Sequence, residues 1–120
     1  MTEKRRAVIV EDEILIAEYL ADYCEEFGVS VADMADNADD AIRVIREARP
    51  DIVLMDVRLV GQGDGVEVAK AAYKDQNTLK IIYITGSNEP PTIARIKSDH
   101  PYQILIKPIS PDDLRRALDG

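Results

Sequence analysis

The sequence predicts an α/β fold: one doubly wound sheet of five parallel strands with helices on both faces. Three observations lead there. Short, continuously apolar runs alternate with longer amphipathic stretches, five times in 120 residues. The best of these runs, "DIVLM" and "KIIYIT", lack the in–out alternation of a half-exposed strand, so both of their faces must be covered. Polar groups collect where the apolar runs end: Glu11 and Asp12, Asp56, Thr85, and Lys107. In open parallel sheets, ligands bind beyond those strand ends.

The elements follow in order. "AVIV" (7–10) reads as a buried strand. Over 13–27, Ile16, Leu20, Tyr23, Cys24 and Phe27 fall on one face at helical spacing, and Gly28 supplies the stop. "VSVADMA" (29–35) is a weaker strand. Asn37 is placed to cap a second helix that turns Ala41, Val44, Ile45 and Ala48 inward and stops at Pro50. "DIVLM" (51–55) is the third strand. A helix over about 64–75 follows, with Val66, Ala69, Ala72 and Tyr73 as its apolar face. "KIIYIT" (80–85) is the fourth strand. The segment 89–100 predicts a short helix with prolines in its first turn. It has few apolar anchors, which makes it the expected mobile element. "YQILI" (102–106) is the fifth strand. Ser110 as cap, Pro111 at the first position and Asp112 and Asp113 in the first turn start a closing helix. Right-handed crossovers make this arrangement doubly wound.

Composition narrows the function. Apolar residues make up 46% of the chain, enough for a core, and no linker or low-complexity tract divides it, so one domain over 1–120 is expected. The net charge of −8 disfavours nucleic acid and anionic membranes as partners. Cys24 is the single cysteine, which excludes an internal disulfide and a thiolate metal cage. The single histidine, His100, has no serine in a nucleophile-elbow context to serve. The N-terminal apolar run is too short for a signal peptide or a membrane span, so the expected location is cytoplasmic. Gly61, Gly63 and Gly65 miss the dinucleotide spacing and read as turn glycines. Arg43, Arg46 and Arg49 read as a solvated helix face. Asp36, Asp39 and Asp40 lack the turn glycine of a calcium loop.

The polar groups at the strand ends form a chemical set if strands one, three, four and five share the middle of the sheet. Taken singly, Glu11 and Asp12 could be acids favoured by a helix N-terminus, Thr85 a strand-end residue and Lys107 a surface lysine. Asp56 is harder to dismiss, because a carboxylate after four buried residues is costly without a partner. Three converging carboxylates repel one another, and a hard divalent cation such as Mg²⁺ resolves that repulsion. One aspartate can then act as nucleophile toward a phosphoryl group. Lys107 would neutralise charge on the transferring oxygens, Thr85 would donate its hydroxyl to one of them, and Gly86 would leave the backbone free to approach.

"VEDE" after the first strand, "LMD" ending the third, "YITG" ending the fourth and "IKP" ending the fifth resemble the receiver domain of two-component response regulators, across essentially the whole chain. The resemblance implies a flavodoxin-like sheet of order 2-1-3-4-5. It implies that Asp56 is the phosphoacceptor, served by a sensor histidine kinase or a histidine phosphotransfer protein. Asp12 and Asp56 would bind Mg²⁺ directly, Glu11 through water, and the backbone carbonyl of Arg58 would complete the protein's share. The Lys107–Pro108 bond would be cis. Downstream proteins would read the face made by the 89–100 helix, the fifth strand and the closing helix.

Two departures stand out. The family's switch aromatic, three residues before the lysine, is replaced by Ile104. Tyr83 and Tyr102 lie nearby as substitutes beside Thr85, a pattern that resembles a variant, mostly alphaproteobacterial, group of receivers. The loop after Asp56 lacks the frequent proline and is one residue longer, and Arg58 and Ser87 are expected to flank the path of hydrolytic water and set the phosphate lifetime. The chain stops after the closing helix, which reads as a stand-alone switch working through protein contacts, not as an enzyme on other substrates. The alternative is a haloacid-dehalogenase-type phosphatase, which uses the same residue types but needs a second aspartate where Arg58 stands. An unphosphorylated interaction module is disfavoured by the complete acid, threonine and lysine set. A flavodoxin is disfavoured by acids where a phosphate loop belongs.

Overall fold

The computed structural model describes residues 4–59, 61, 63–86, 94–96 and 101–120. Chain order gives β1 (Arg5–Val10), α1 (Ile14–Glu26), β2 (Val29–Ala35), α2 (Ala38–Ala48), β3 (Ile52–Asp56), α3 (Gly65–Asp75), β4 (Lys80–Thr85), β5 (Gln103–Ile106) and α4 (Pro111–Asp119). The strands form one sheet of order β2-β1-β3-β4-β5, and every pairing is parallel. This is the doubly wound, flavodoxin-like arrangement expected from the sequence.

Alternation along the strands divides the core into two layers. Val8, Val10, Val53, Met55, Ile81 and Tyr83 face one side, where α2 and α3 contribute Ala41, Val44, Ile45, Val66, Val68 and Ala69. Ala7, Ile9, Ile52, Leu54, Ile82 and Ile84 face the other, against Ala17, Leu20 and Cys24 of α1 and Leu114, Ala117 and Leu118 of α4. With both layers filled, the central strands have no exposed face. Polar side chains on them are therefore pushed to the strand ends.

The helix starts are built as the sequence suggests. The Asn37 side chain accepts from Asp40 N–H at 2.9 Å. Ser110 and Asp113 form a reciprocal capping box, with Pro111 in the first turn. Asp64 caps α3 by accepting from Glu67 N–H at 3.1 Å. Helix α1 has no cap from its own Glu13 side chain; Glu11 Oε1 instead accepts from Glu13 N–H at 3.3 Å.

Some boundaries differ from the sequence expectation. Strand β1 begins at Arg5, since Arg5 and Arg6 pair with Val29 and Ser30 through backbone groups that need no apolar side chain. Strand β5 begins at Gln103, so Tyr102 precedes it. Of the helix predicted over 89–100, residues 94–96 are helical, with Ile96 fully buried in the Tyr83 layer. The rest of that segment, with His100, and Ser87 before it, lies outside the described residues, and so does its expected mobility.

Two backbone positions make opposite demands. Arg49 ends α2 in the left-handed region, at φ 46°, with its N–H donating to Ile45 O. A side chain there costs roughly 1–2 kcal/mol. Gly65, the first residue of α3, lies so close to β3 that a Cβ would meet the Asp56 carbonyl oxygen at 2.1 Å and Met55 Cγ at 2.8 Å. Arg49→Gly should stabilise the protein by about 0.5 kcal/mol, part of the relief being offset by a more flexible unfolded chain. Gly65→Ala should destabilise it by about 2 kcal/mol or more, because backbone must move. Urea unfolding of both variants checks the opposite signs.

Candidate functional site

Four strand ends converge at one edge of the sheet. The Glu11 N–H donates to Ala35 O at 3.0 Å, which carries β1's pairing one residue further and fixes the turn into α1. Glu11 is thereby buried at 4% exposure, while Asp12 next to it is exposed. Asp56 is the last residue of β3 and only 6% exposed. Its Oδ1 accepts from Arg58 N–H at 3.3 Å. Lys107 follows β5, and its N–H donates to Thr85 O at 2.8 Å, locking the ends of β4 and β5 together. The Lys107–Pro108 peptide is cis.

The structure brings together the side chains of Glu11, Asp12, Asp56 and Lys107. Carboxylate oxygens of Glu11, Asp12 and Asp56 lie within 4.8 Å of one another, the one such acidic cluster among the described residues. Lys107 Nζ stands 3.3 Å from both oxygens of Glu11 and 3.4 Å from Asp56 Oδ2. Thr85 is buried at the end of β4, one residue past the Ile84 that pairs with Asp56. The Arg58 side chain is exposed.

Electrostatics mark the cluster as strained. Burial, with the Asp56 charge adding to it, pushes the Glu11 carboxyl up to about 7, against the pull of Lys107 and the Glu13 N–H. Burial alone would pull the Lys107 ammonium down, but the charges of Asp56 and Glu11 outweigh it and its pKa is raised. Glu11 Oε2 is buried and accepts no hydrogen bond, although the ammonium is near. An orphaned buried oxygen beside two further carboxylates is a donor set suited to a hard cation.

Tyr83, Ile104 and Tyr102, expected from the sequence as switch residues, share one face. Tyr83 pairs with Ile104 across β4 and β5. Tyr83 is fully buried, and Ile104 and Tyr102 pack against the same layer, which also holds Ile96. The aliphatic Ile104 thus sits beside an aromatic already inside the core.

Gly65 was expected as a turn glycine and instead begins α3, and Asp64 was not singled out from the sequence. Gly65 allows α3 to press on the Asp56 backbone, and its N–H donates to Val57 O at 2.8 Å. Asp64 both caps α3 and pairs with Arg95 at 2.6 Å. The cap was legible as an aspartate three residues before Glu67; the long-range pair left no local signal.

Comparison with known proteins agrees with this geometry. Residues 7–119 match the family described as "Response regulator receiver domain". The chain is 29% identical over 115 residues to the transcriptional regulatory protein PdtaR of Mycobacterium tuberculosis, covering 96% of this chain and 55% of that one. The signal receiver domain of a modulated diguanylate cyclase from Desulfovibrio desulfuricans superposes with a TM-score of 0.86 at 38% identity, covering 97% of this chain and 91% of that one. The response regulator PhyR from Brucella abortus gives 0.83 at 28% identity, covering 96% of this chain and 46% of that one. The chain spans about half the length of the curated relatives it matches. A phosphatase reading finds no support among these matches, and no helix among the described residues is long and apolar enough to cross a membrane. With its strand order, its clustered acids and its paired lysine, the chain belongs to the receiver-domain family of two-component response regulators.

Proposed function

We propose that residues 1–120 form a single receiver domain that accepts a phosphoryl group on Asp56 from a phosphohistidine of a sensor kinase or phosphotransfer protein, and then alters its protein contacts. The observation that carries this reading is Lys107 held against both Glu11 and Asp56, with Asp12 completing the acid group. In the transfer, an Asp56 carboxylate oxygen forms a bond to phosphorus. The P–N bond breaks, and its electron pair returns to the imidazole. Lys107 would then face the added negative charge, and the Thr85 hydroxyl would donate to a phosphoryl oxygen. The acceptor in this chemistry is the protein's own Asp56.

Glu11, Asp12, Asp56 and the Arg58 carbonyl would hold Mg²⁺, whose bound charge would neutralise the crowded oxygens. The exposed apolar side chains of Ile14 and Leu15, which follow the acids directly, would meet the donor protein. Thr85 drawn toward the phosphoryl group would shift the end of β4 and the residues after it, and Tyr83, Tyr102 and Ile104 would carry that shift to the face read by a downstream protein. Arg58, whose N–H already holds Asp56, would tune the phosphate lifetime together with Ser87.

Incubation with a small acyl phosphate and Mg²⁺ should add one phosphoryl group to the intact protein, read by mass spectrometry. Asp56→Asn should abolish the addition, and Lys107→Ala should slow it by roughly 10²–10³. Unchanged labelling of Asp56→Asn would overturn the assignment.

The Glu11 shift predicts a pH dependence. The folded protein keeps the Glu11 proton up to about pH 7, whereas an ordinary carboxyl loses it near 4.5. The folded state therefore binds more protons between those values, and without metal its stability falls as pH rises through that window. Glu11→Gln should remove this fall, so that at pH 8 and without Mg²⁺ the variant melts higher than the wild type. Mg²⁺ affinity of the wild type should weaken as pH drops below 7, because the cation needs the deprotonated carboxylate. Thermal melts and Mg²⁺ titrations across pH 5–8 test both signs.

A further inference from the structure

We propose that Tyr19 of α1 is a positioning residue for the phosphoryl transfer: its hydroxyl ties down the turn that carries Lys107 and so sets where the ammonium stands against Asp56. The inference rests on the phosphoacceptor reading above and adds to it a residue outside the acid cluster. The Tyr19 hydroxyl donates to Ile109 O at 2.8 Å. Among the described residues, this is the one side-chain hydrogen bond made to the backbone of residues 107–109.

The turn depends on such a tie. On its N-terminal side Lys107 is held by the sheet, through its N–H to Thr85 O at 2.8 Å. On its C-terminal side the next hydrogen-bonded structure is the cap of α4, where Asp113 N–H donates to Ser110 Oγ at 3.1 Å. Between them Pro108 has no N–H to give, and packing does not fill the gap. A groove of about 450 Å³ is lined by Ile16, Tyr19 and Leu20 on α1 and by Lys107, Pro108 and Ile109 on the turn. The turn therefore has room to shift relative to α1, and the Tyr19–Ile109 bond crosses that room.

The anchor itself is firm. Helix α1 is fixed by Ala17, Leu20 and Cys24 in its core layer. The Tyr19 ring lies 4.9 Å from that of Tyr23, which lies 5.8 Å from that of Phe27, so the phenol is stacked along its own helix. Burial, with the neighbouring Tyr23 and Asp113 adding to it, raises the Tyr19 pKa, so the phenol keeps the proton it donates. The group at the other end demands precision. Lys107 Nζ stands 3.3 Å from Glu11 and 3.4 Å from Asp56, and a small displacement of a charged group at a reacting centre is costly. Without the hydroxyl the turn is freer, the ammonium samples placements further from Asp56, and transfer slows.

The test is the rate at which a small acyl phosphate with Mg²⁺ labels the full chain, read by mass spectrometry. Tyr19→Phe keeps the ring and removes the hydroxyl. Tyr23→Phe removes a hydroxyl from the same aromatic stack and leaves the bond to Ile109 in place. Tyr19→Phe should label about three- to tenfold more slowly than the wild type, the worth of one neutral hydrogen bond, and Tyr23→Phe should label at the wild-type rate. Repeated in Lys107→Ala protein, Tyr19→Phe should cause no further slowing, because the group it positions is gone. A general loss of stability would slow labelling in both backgrounds. Equal slowing in both therefore overturns the positioning role, as does an equal loss in Tyr23→Phe. A wild type that labels beside an unchanged Tyr19→Phe overturns the positioning role alone. A wild type that takes up no phosphoryl group overturns the phosphoacceptor reading and the positioning role with it.

Discussion

The crowding of negative oxygens at one edge of the sheet governs the rest of the structure. Two like charges 4.8 Å apart, as the Glu11 and Asp56 oxygens can be, repel by roughly 3 kcal/mol near a protein surface. One ammonium at 3.3–3.4 Å attracts each of them somewhat more strongly, but it is one charge against three. The remainder is visible in Glu11, whose carboxyl is pushed up to about 7 and whose Oε2 accepts no hydrogen bond. A site built for stability alone would replace one acid with a neutral group. This one stays short of positive charge, which is the condition in which a divalent cation binds.

The fold makes that condition possible. Strands covered on both faces leave their carboxyl ends as the place where polar side chains can stand. Four such ends, from β1, β3, β4 and β5, lie side by side because the chain order 2-1-3-4-5 puts β1 and β3 next to each other. The backbone bond from Lys107 N–H to Thr85 O then fixes the lysine's approach, and Glu11 is fixed by its bond to Ala35 O. These are sheet bonds that run one residue past the strands, so the site inherits the rigidity of the sheet.

Rigidity on one side is matched by linkage on the other. Helix α3 is pinned to the Asp56 backbone through Gly65, while Arg95 pairs with Asp64 at its start and Ile96 enters the core. Beneath them Tyr83 occupies the interior already, opposite Ile104. An aromatic on β5 could swing between solvent and core; a fully buried Tyr83 on the interior β4 has no such freedom of exposure.

Much of this was legible in the sequence, for a physical reason. Apolar runs and their periodicity report burial directly, so the five strands, the helices 13–27, 64–75 and the closing one, and the acids, threonine and lysine at strand ends could be read along the chain. Caps such as Asn37 and Ser110 act within a turn, and their signals are local too. The order of the strands was not carried by any of these patterns and came from resemblance, because pairing is made by backbone groups that every residue has. Tertiary structure alone decided the rest. It set the start of β1 at Arg5, the use of Gly65 for close approach instead of a turn, and the pairing of Asp64 with Arg95. It also decided how deeply Glu11 is buried while its neighbour Asp12 stays in water. Those features depend on distances between segments far apart in the chain, and side-chain identity does not encode such distances until the sheet has brought the segments together.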